Sequence, residues 1–350
     1  MASNASPVRI AVIGAGLIGK RHIQHIVDEP RCRLAGVVEP NPNAKALAER
    51  AGTDYYSDVA LFLKEGDAEG AIIATPNDTH ATIGIKCVAA GLHILVEKPI
   101  VSDLKAGANL IEAAEKTGVK VLVGHHRRFN PYIEATKQIL DDGKLGTVTA
   151  VSALWTVLKP ASYFKATWRR EPGGGPVLIN LIHDIDNLRY FFGDVERIYA
   201  ETGNAIRGYP VEDTAVITIR FGSGVLATVV TSDVVASPYN FESATGENPL
   251  YYSAAQDCYR IFGTEATLSF PEMTLWRYTG QGKQGWGDPI SNERTGVERT
   301  IPLERQLRHF CDVVRNGAAP RCSGTEGMKT LEATMAVAEA VRTGAPITLN

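Results

Sequence analysis

Three short stretches carry side chains able to do chemistry. In "VEKPI" a strand-like run, His93 to Val96, ends in Glu97, Lys98 and Pro99. An ammonium fixed at a strand end can hydrogen-bond a hydroxyl and stabilise alkoxide charge as it develops. In "NLIHDIDNL", His183 and Asp186 stand three apart on a predicted helix and share a face, with Asn187 at i+4 from His183. An imidazole titrates near neutrality, which suits it to take a proton from a hydroxyl. Asp186 either orients that ring or binds a substrate hydroxyl. The set Lys98, His183 and Asp186 can move a proton off an alcohol while a second agent takes the electrons.

That agent is indicated by "GAGLIG", Gly14 to Gly19, which follows a strand and opens a helix. Gly14 permits the tight turn, Gly16 lets backbone approach a pyrophosphate, and Gly19 lets helix and strand pack closely. The N–H groups of Leu17 and Ile18 at the helix start then face the phosphates. Glu39 ends "AGVVE", twenty positions after Gly19. A carboxylate there accepts from adenosine ribose hydroxyls and repels a 2′-phosphate, so NAD is expected and NADP disfavoured.

The elements that position these groups follow from hydrophobic patterning. "VRIAVIG", "RLAGVVE", "GAIIATP", "HILVEKP" and "VKVLVGH" are continuous, β-branched-rich runs, suited to strands buried on both faces of a parallel sheet. Helical stretches lie between them, several opening on Asn or Asp and closing on Gly. Alternation of this kind predicts a doubly wound Rossmann domain over 1–125. From 126 to 350 the pattern predicts an α+β domain on a large, mostly antiparallel sheet. Ala215, Ile217 and Ile219 alternate there with Val216, Thr218 and Arg220. Phe221 to Gly224 reads as a hairpin turn, while Asn240 to Tyr252 and Gln281 to Thr295 read as loops. Tyr163 falls in a loop, and nothing in the sequence places it.

Composition narrows the function. The 350 residues are 44% hydrophobic and 21% charged, with a net charge of -3. No basic run points to nucleic acid, and no apolar run reaches the ~20 residues of a membrane helix. The N-terminus lacks a basic segment before its apolar run, so a cytoplasmic location is expected. Five scattered cysteines without a C-x-x-C read as reduced thiols, and no histidine pair has the partners a metal site needs.

"GAGLIG", "ATPNDTH", "EKP", "GHHRRFNP", "WRREPGGG" and "HDID" occur in this order. Together they resemble the glucose–fructose oxidoreductase/inositol dehydrogenase family, Gfo/Idh/MocA. The resemblance implies an open-faced C-terminal sheet, a cis Lys98–Pro99 bond, and NAD(P)-linked chemistry, most often on sugars and cyclitols. It also implies a homodimer or homotetramer, packed through that sheet. In this reading Thr75, Pro76 and Asn77 line the nicotinamide side, and His80 stands beside them or merely begins its helix. Glu97 holds Lys98 or contacts the nicotinamide ribose. Arg127, Trp168, Arg169 and Asn180 join Lys98 and His183 around the substrate, a sugar, cyclitol or ring diol.

One position departs from the pattern. Many relatives carry an aspartate four residues before the histidine, where this chain has Ile179. With Arg127, Arg128, Arg169 and Arg170 in the motifs, a carboxylated cis-dihydrodiol or similar ring acid is an alternative substrate. A non-catalytic NAD or sugar sensor is the reading from another class.

Overall fold

Runs of Val, Ile and Ala become strands because a sheet covered on both faces can bury every side chain. In the computed structural model, which describes residues 6–280 and 284–349, six strands form a wholly parallel sheet. They are β1 (Val8–Ile13), β2 (Cys32–Val38), β3 (Tyr55–Tyr56), β4 (Gly70–Ile73), β5 (His93–Val96) and β6 (Val121–Val123), in the order β3-β2-β1-β4-β5-β6. The strand order reverses between β1 and β4, which opens a crevice at their carboxyl ends. Helices α1 (Leu17–Asp28), α2 (Lys45–Arg50), α3 (Val59–Glu65), α4 (His80–Ala89) and α5 (Leu104–Thr117) alternate with the strands. Asp58 and Asp103 cap α3 and α5 by accepting the N–H of Leu61 and Ala106, and Gly118 ends α5 at φ +73°.

The second sheet has nine strands. They are β7 (Val148–Thr156), β8 (Val195–Gly203), β9 (Thr214–Phe221), β10 (Leu226–Ser232), β11 (Tyr259–Gly263), β12 (Thr267–Phe270), β13 (Thr274–Tyr278), β14 (Ile290–Arg294) and β15 (Ile347–Thr348). All neighbours pair antiparallel except β7 and β10, so the sheet is mixed. On β9, Ala215, Ile217 and Ile219 are buried while Val216 and Thr218 are exposed, as the alternation predicts. The helices of this part include α6 (Pro131–Asp141), α7 (Ile182–Phe192) and α8 (Phe241–Thr245). Two of the expected loops hold elements. Asn240 accepts the Ser243 N–H and starts α8. Ile290–Arg294 is an edge strand, exposed along its length and therefore without apolar alternation. Residues 281–283 of that expected loop lie outside the described residues.

The chain forms two compact units, Met1–Phe129 with Ile301–Leu331, and Asn130–Thr300 with Glu332–Asn350. The return of 301–331 to the first unit was not contained in the expected division at 125/126. It includes α9 (Pro302–Asn316) and the start of α10 (Gly324–Thr343). Its cause is close packing on the parallel sheet. A Cβ on Gly70 would stand 3.0 Å from the Phe310 ring, and one on Gly327 2.6 Å from Val123. The Val123 N–H donates to the Cys322 carbonyl at 2.8 Å. Among the described residues no helix is long and apolar enough to cross a membrane, and no cluster of His, Cys, Asp and Glu could hold a metal. All five cysteines are buried thiols.

Candidate active site

The glycines of "GAGLIG" are fixed by distances. Gly14 has φ +96°, and a Cβ on it would lie 2.6 Å from the Ala74 carbonyl oxygen. A Cβ on Gly19 would lie 2.0 Å from the Gly14 carbonyl oxygen, so Gly19 seats α1 against the turn itself. A Cβ on Gly16 would meet nothing within 4 Å. Gly16 faces outward as the N-cap of α1, with no side chain capping the helix. The first-turn N–H groups, those of Leu17 and Ile18 included, are therefore open to an anion. Leu17 is 84% exposed beside them.

A cavity of about 820 Å³ lies at the carboxyl ends of β1 and β4, lined by Gly14, Gly16, Glu39, Thr75 and Pro76 among others. Glu39 accepts the Ala15 N–H at 2.8 Å and the Asn41 N–H at 3.1 Å. A carboxylate has about four acceptor sites, so two remain for the hydroxyls of a ribose. The cradle fits a dinucleotide: glycine where a pyrophosphate must approach, free amides beside it, and a fixed carboxylate beyond. Lys20 and Arg50 share a smaller hollow of about 300 Å³ with Glu39, a basic lining that the sequence reading did not foresee. Glu39→Ser is accordingly expected to raise the KM for NAD by about tenfold or more and to admit NADP, whose phosphate would meet those two cations. Initial rates with both cofactors test this, and an unchanged preference would remove Glu39 from the ribose.

Lys98 follows β5 across a cis bond to Pro99. Glu97, 7% exposed, accepts from His22 of α1 at 2.8 Å and from the Lys98 backbone N–H at 3.3 Å. Burial pushes its carboxyl upward, but the hydrogen bond and charge of His22, with His126 and Lys98, outweigh this and hold it below the ordinary range. Glu97 therefore stays ionised and fixes the backbone that carries Lys98. His80 is fully buried, with Nδ1 2.9 Å from the Pro99 carbonyl and Nε2 2.9 Å from the Thr75 carbonyl. It clamps the ends of β4 and β5 together, and its ring nitrogens are taken up by the backbone. Thr75 also accepts from the Thr79 hydroxyl at 2.7 Å, and Asn77 is exposed beyond it.

In the second unit a π-turn, Val177–Leu181, runs directly into α7. His183 is 8% exposed and Asp186 1%. Asp184 accepts from the Tyr259 hydroxyl, which accepts from Asn187 at 3.0 Å. That buried chain ties α7 to β11, so Asn187 serves the fold. Asn180 accepts from Lys159 at 2.8 Å. Arg169 lies over the Tyr163 ring at 3.9 Å and beside the Trp168 ring at 5.1 Å, and donates to the Tyr163 carbonyl. Trp168 is 54% exposed, so it is no buried packing residue. Arg127 is buried in the turn His126–Phe129 of the first unit. Its neighbour Arg128 donates to the Arg321 carbonyl and to Glu326, tying that turn to the returning segment.

Sequence reasoning missed His22 and Lys159. His22 stands three residues after Gly19, so it is on the same helix face, which offered a signal. Lys159 follows β7 in "VLKP", and nothing local marks it as buried.

Two family models cover almost the whole chain. One, "Oxidoreductase family, NAD-binding Rossmann fold", matches residues 8–125, and the other, "Oxidoreductase family, C-terminal alpha/beta domain", matches 137–349. Among similar proteins, scyllo-inositol 2-dehydrogenase (NAD(+)) of Bacillus subtilis is 28% identical, over 98% of this chain and 96% of its own. Myo-inositol 2-dehydrogenase of Thermotoga maritima is 27% identical over 93% of each. The WlbA dehydrogenase of Bordetella pertussis, solved with NADH and UDP-GlcNAcA, shares the fold at a TM-score of 0.78 and 22% identity, over 98% of this chain and 99% of that one. With its Rossmann cradle and its mixed second sheet, the chain belongs to the Gfo/Idh/MocA family of NAD-dependent oxidoreductases.

Proposed function

We propose that the enzyme oxidises a secondary hydroxyl of a sugar, cyclitol or related cyclic polyol to a ketone. The observation that carries this is the fixed lysine: a buried, ionised Glu97 takes the backbone N–H of Lys98 at the end of β5. The inositol dehydrogenases among the relatives support the substrate class. Lys98 donates a hydrogen bond to the carbinol oxygen and stabilises its developing charge. His183 takes the hydroxyl proton, and Asp186 steadies the imidazole or holds a second hydroxyl. When bound, NAD supplies the hydride acceptor for the carbinol carbon.

NADH absorbance across inositols, aldoses, sugar acids and cyclic diols tests the reading. Turnover of a neutral polyol at the highest kcat/KM is expected. Tight NAD binding with no turnover anywhere on the panel would sink it. A second reading, a carboxylated cis-dihydrodiol or similar ring acid, draws on Arg169 and Arg170. Each has a buried Nε without a hydrogen-bond partner among the described residues, and Ile179 puts an apolar side chain where the family resemblance implies an aspartate in many relatives. Acidic diols outrunning neutral ones on the same panel would establish it.

We further place a homodimer or homotetramer contact on the open face of the nine-stranded sheet, where Val216, Leu226, Phe262 and Trp276 are exposed. Light scattering on the eluting enzyme reads the assembly. The enzyme is assigned to the cytoplasm, where its thiols stay reduced.

A further inference from the structure

Lys159 takes no part in the reaction outlined above, yet it is only 6% exposed. A buried ammonium needs compensation. Its Nζ donates to Asn180 Oδ1 at 2.8 Å and pairs with Asp233 Oδ2 at 3.3 Å. The rings of Trp155 and Tyr163 cover it at 5.3 and 4.6 Å. The other oxygen of Asp233 is taken by Arg207 at 3.2 Å. An ammonium can only donate, so the amide atom facing it must be the oxygen. The NH2 group of Asn180 is thereby turned away from Lys159, and it makes no hydrogen bond among the described residues. Asn180 lies one turn before His183, inside a π-turn, a widening often found at functional sites. Arg169, a second pure donor, rests on the same Tyr163 ring.

We propose that Lys159 is a positioning residue that locks Asn180 as a hydrogen-bond donor to the substrate, so that the substrate group held there is an oxygen acceptor. The proposal rests on the reaction assigned above. A carboxylate oxygen and a hydroxyl lone pair share this acceptor chemistry, and two probes separate them: glucuronate and myo-inositol.

The test uses the full-length enzyme, with Lys159→Met, Asn180→Asp and the double variant. Asn180→Asp keeps an oxygen for Lys159 but replaces the donor by a second acceptor. Each single variant is expected to raise the KM of whichever probe the wild type oxidises by about tenfold or more, with the KM of NAD within about twofold. The double variant should lose little beyond Asn180→Asp, since both changes act through one group. Thermal midpoints supply a readout free of turnover. Asn180→Asp should raise the midpoint when Lys159 is present and lower it in the Lys159→Met background. If the wild type oxidises neither probe, that failure belongs to the reaction reading, and the change of sign still decides whether Lys159 sets Asn180. An unchanged KM in both variants of an active enzyme, or one midpoint shift in both backgrounds, overturns the proposal.

Discussion

Lys98→Ala and His183→Ala should each lower kcat by about 10²–10⁴-fold, the usual worth of a placed acid–base or electrostatic group. NAD affinity, read by NADH fluorescence titration, should change little, because the cradle of Gly14, Gly16 and Glu39 lies on other elements. In the proposed reaction both groups act on one oxygen, so the double variant should fall little further than the worse single one. His183→Ala should also remove from the pH–rate profile the acid limb that reports the proposed base. Lys98→Arg is a useful control. It keeps the charge but not the compact ammonium, and so should recover only part of the rate. Wild-type turnover by both alanine variants, on a substrate the enzyme accepts, would overturn the assignment.

The second large effect lies away from the chemistry. His22→Leu removes the partner of a buried carboxylate and should destabilise the protein by about 3–5 kcal/mol, read by chemical denaturation. The pH dependence has a definite sign. In the native protein Glu97 is held below its ordinary value of 4.5. Its stabilisation is thus fully present above about pH 4.5 and is lost as pH falls through the lower folded value. Without His22, burial dominates and pushes the carboxyl above that range, so the folded variant must protonate it. The gap between variant and wild type should therefore be widest near neutrality and narrow in acid. A gap that stays constant with pH would mean that His22 acts through packing and not through Glu97.

Five of the six strands of the parallel sheet were legible because strands covered on both faces must be mostly apolar, and few other short segments are. The strand β3, only two residues long, left no such run and was not. The hairpin from β9 to β10 was legible from strict alternation and its glycines. Ile290–Arg294 was not, because an edge strand with every side chain in solvent leaves no apolar period. The destination of α9 was illegible for another reason. Leu303, Leu307 and Phe310 announce one buried face, but amphipathicity does not say which sheet receives it. The site divides the same way. Gly14, Gly19 and Glu39 are local consequences of a strand–turn–helix and could be read directly. The His22–Glu97 bond and the Lys159–Asn180 bond join residues remote in sequence, and only the folded chain discloses them.

The return of 301–331 also bears on how the polypeptide leaves the ribosome. The nascent Rossmann segment emerges with its six strands complete by Val123, yet Phe310 and the Cys322 carbonyl that cover β4 and β6 arrive nearly two hundred residues later. During that interval an apolar sheet surface stands uncovered, at the stage of synthesis when chaperone capture or mispairing has most opportunity. A gene fragment stopped after the sixth strand would leave that surface bare for good.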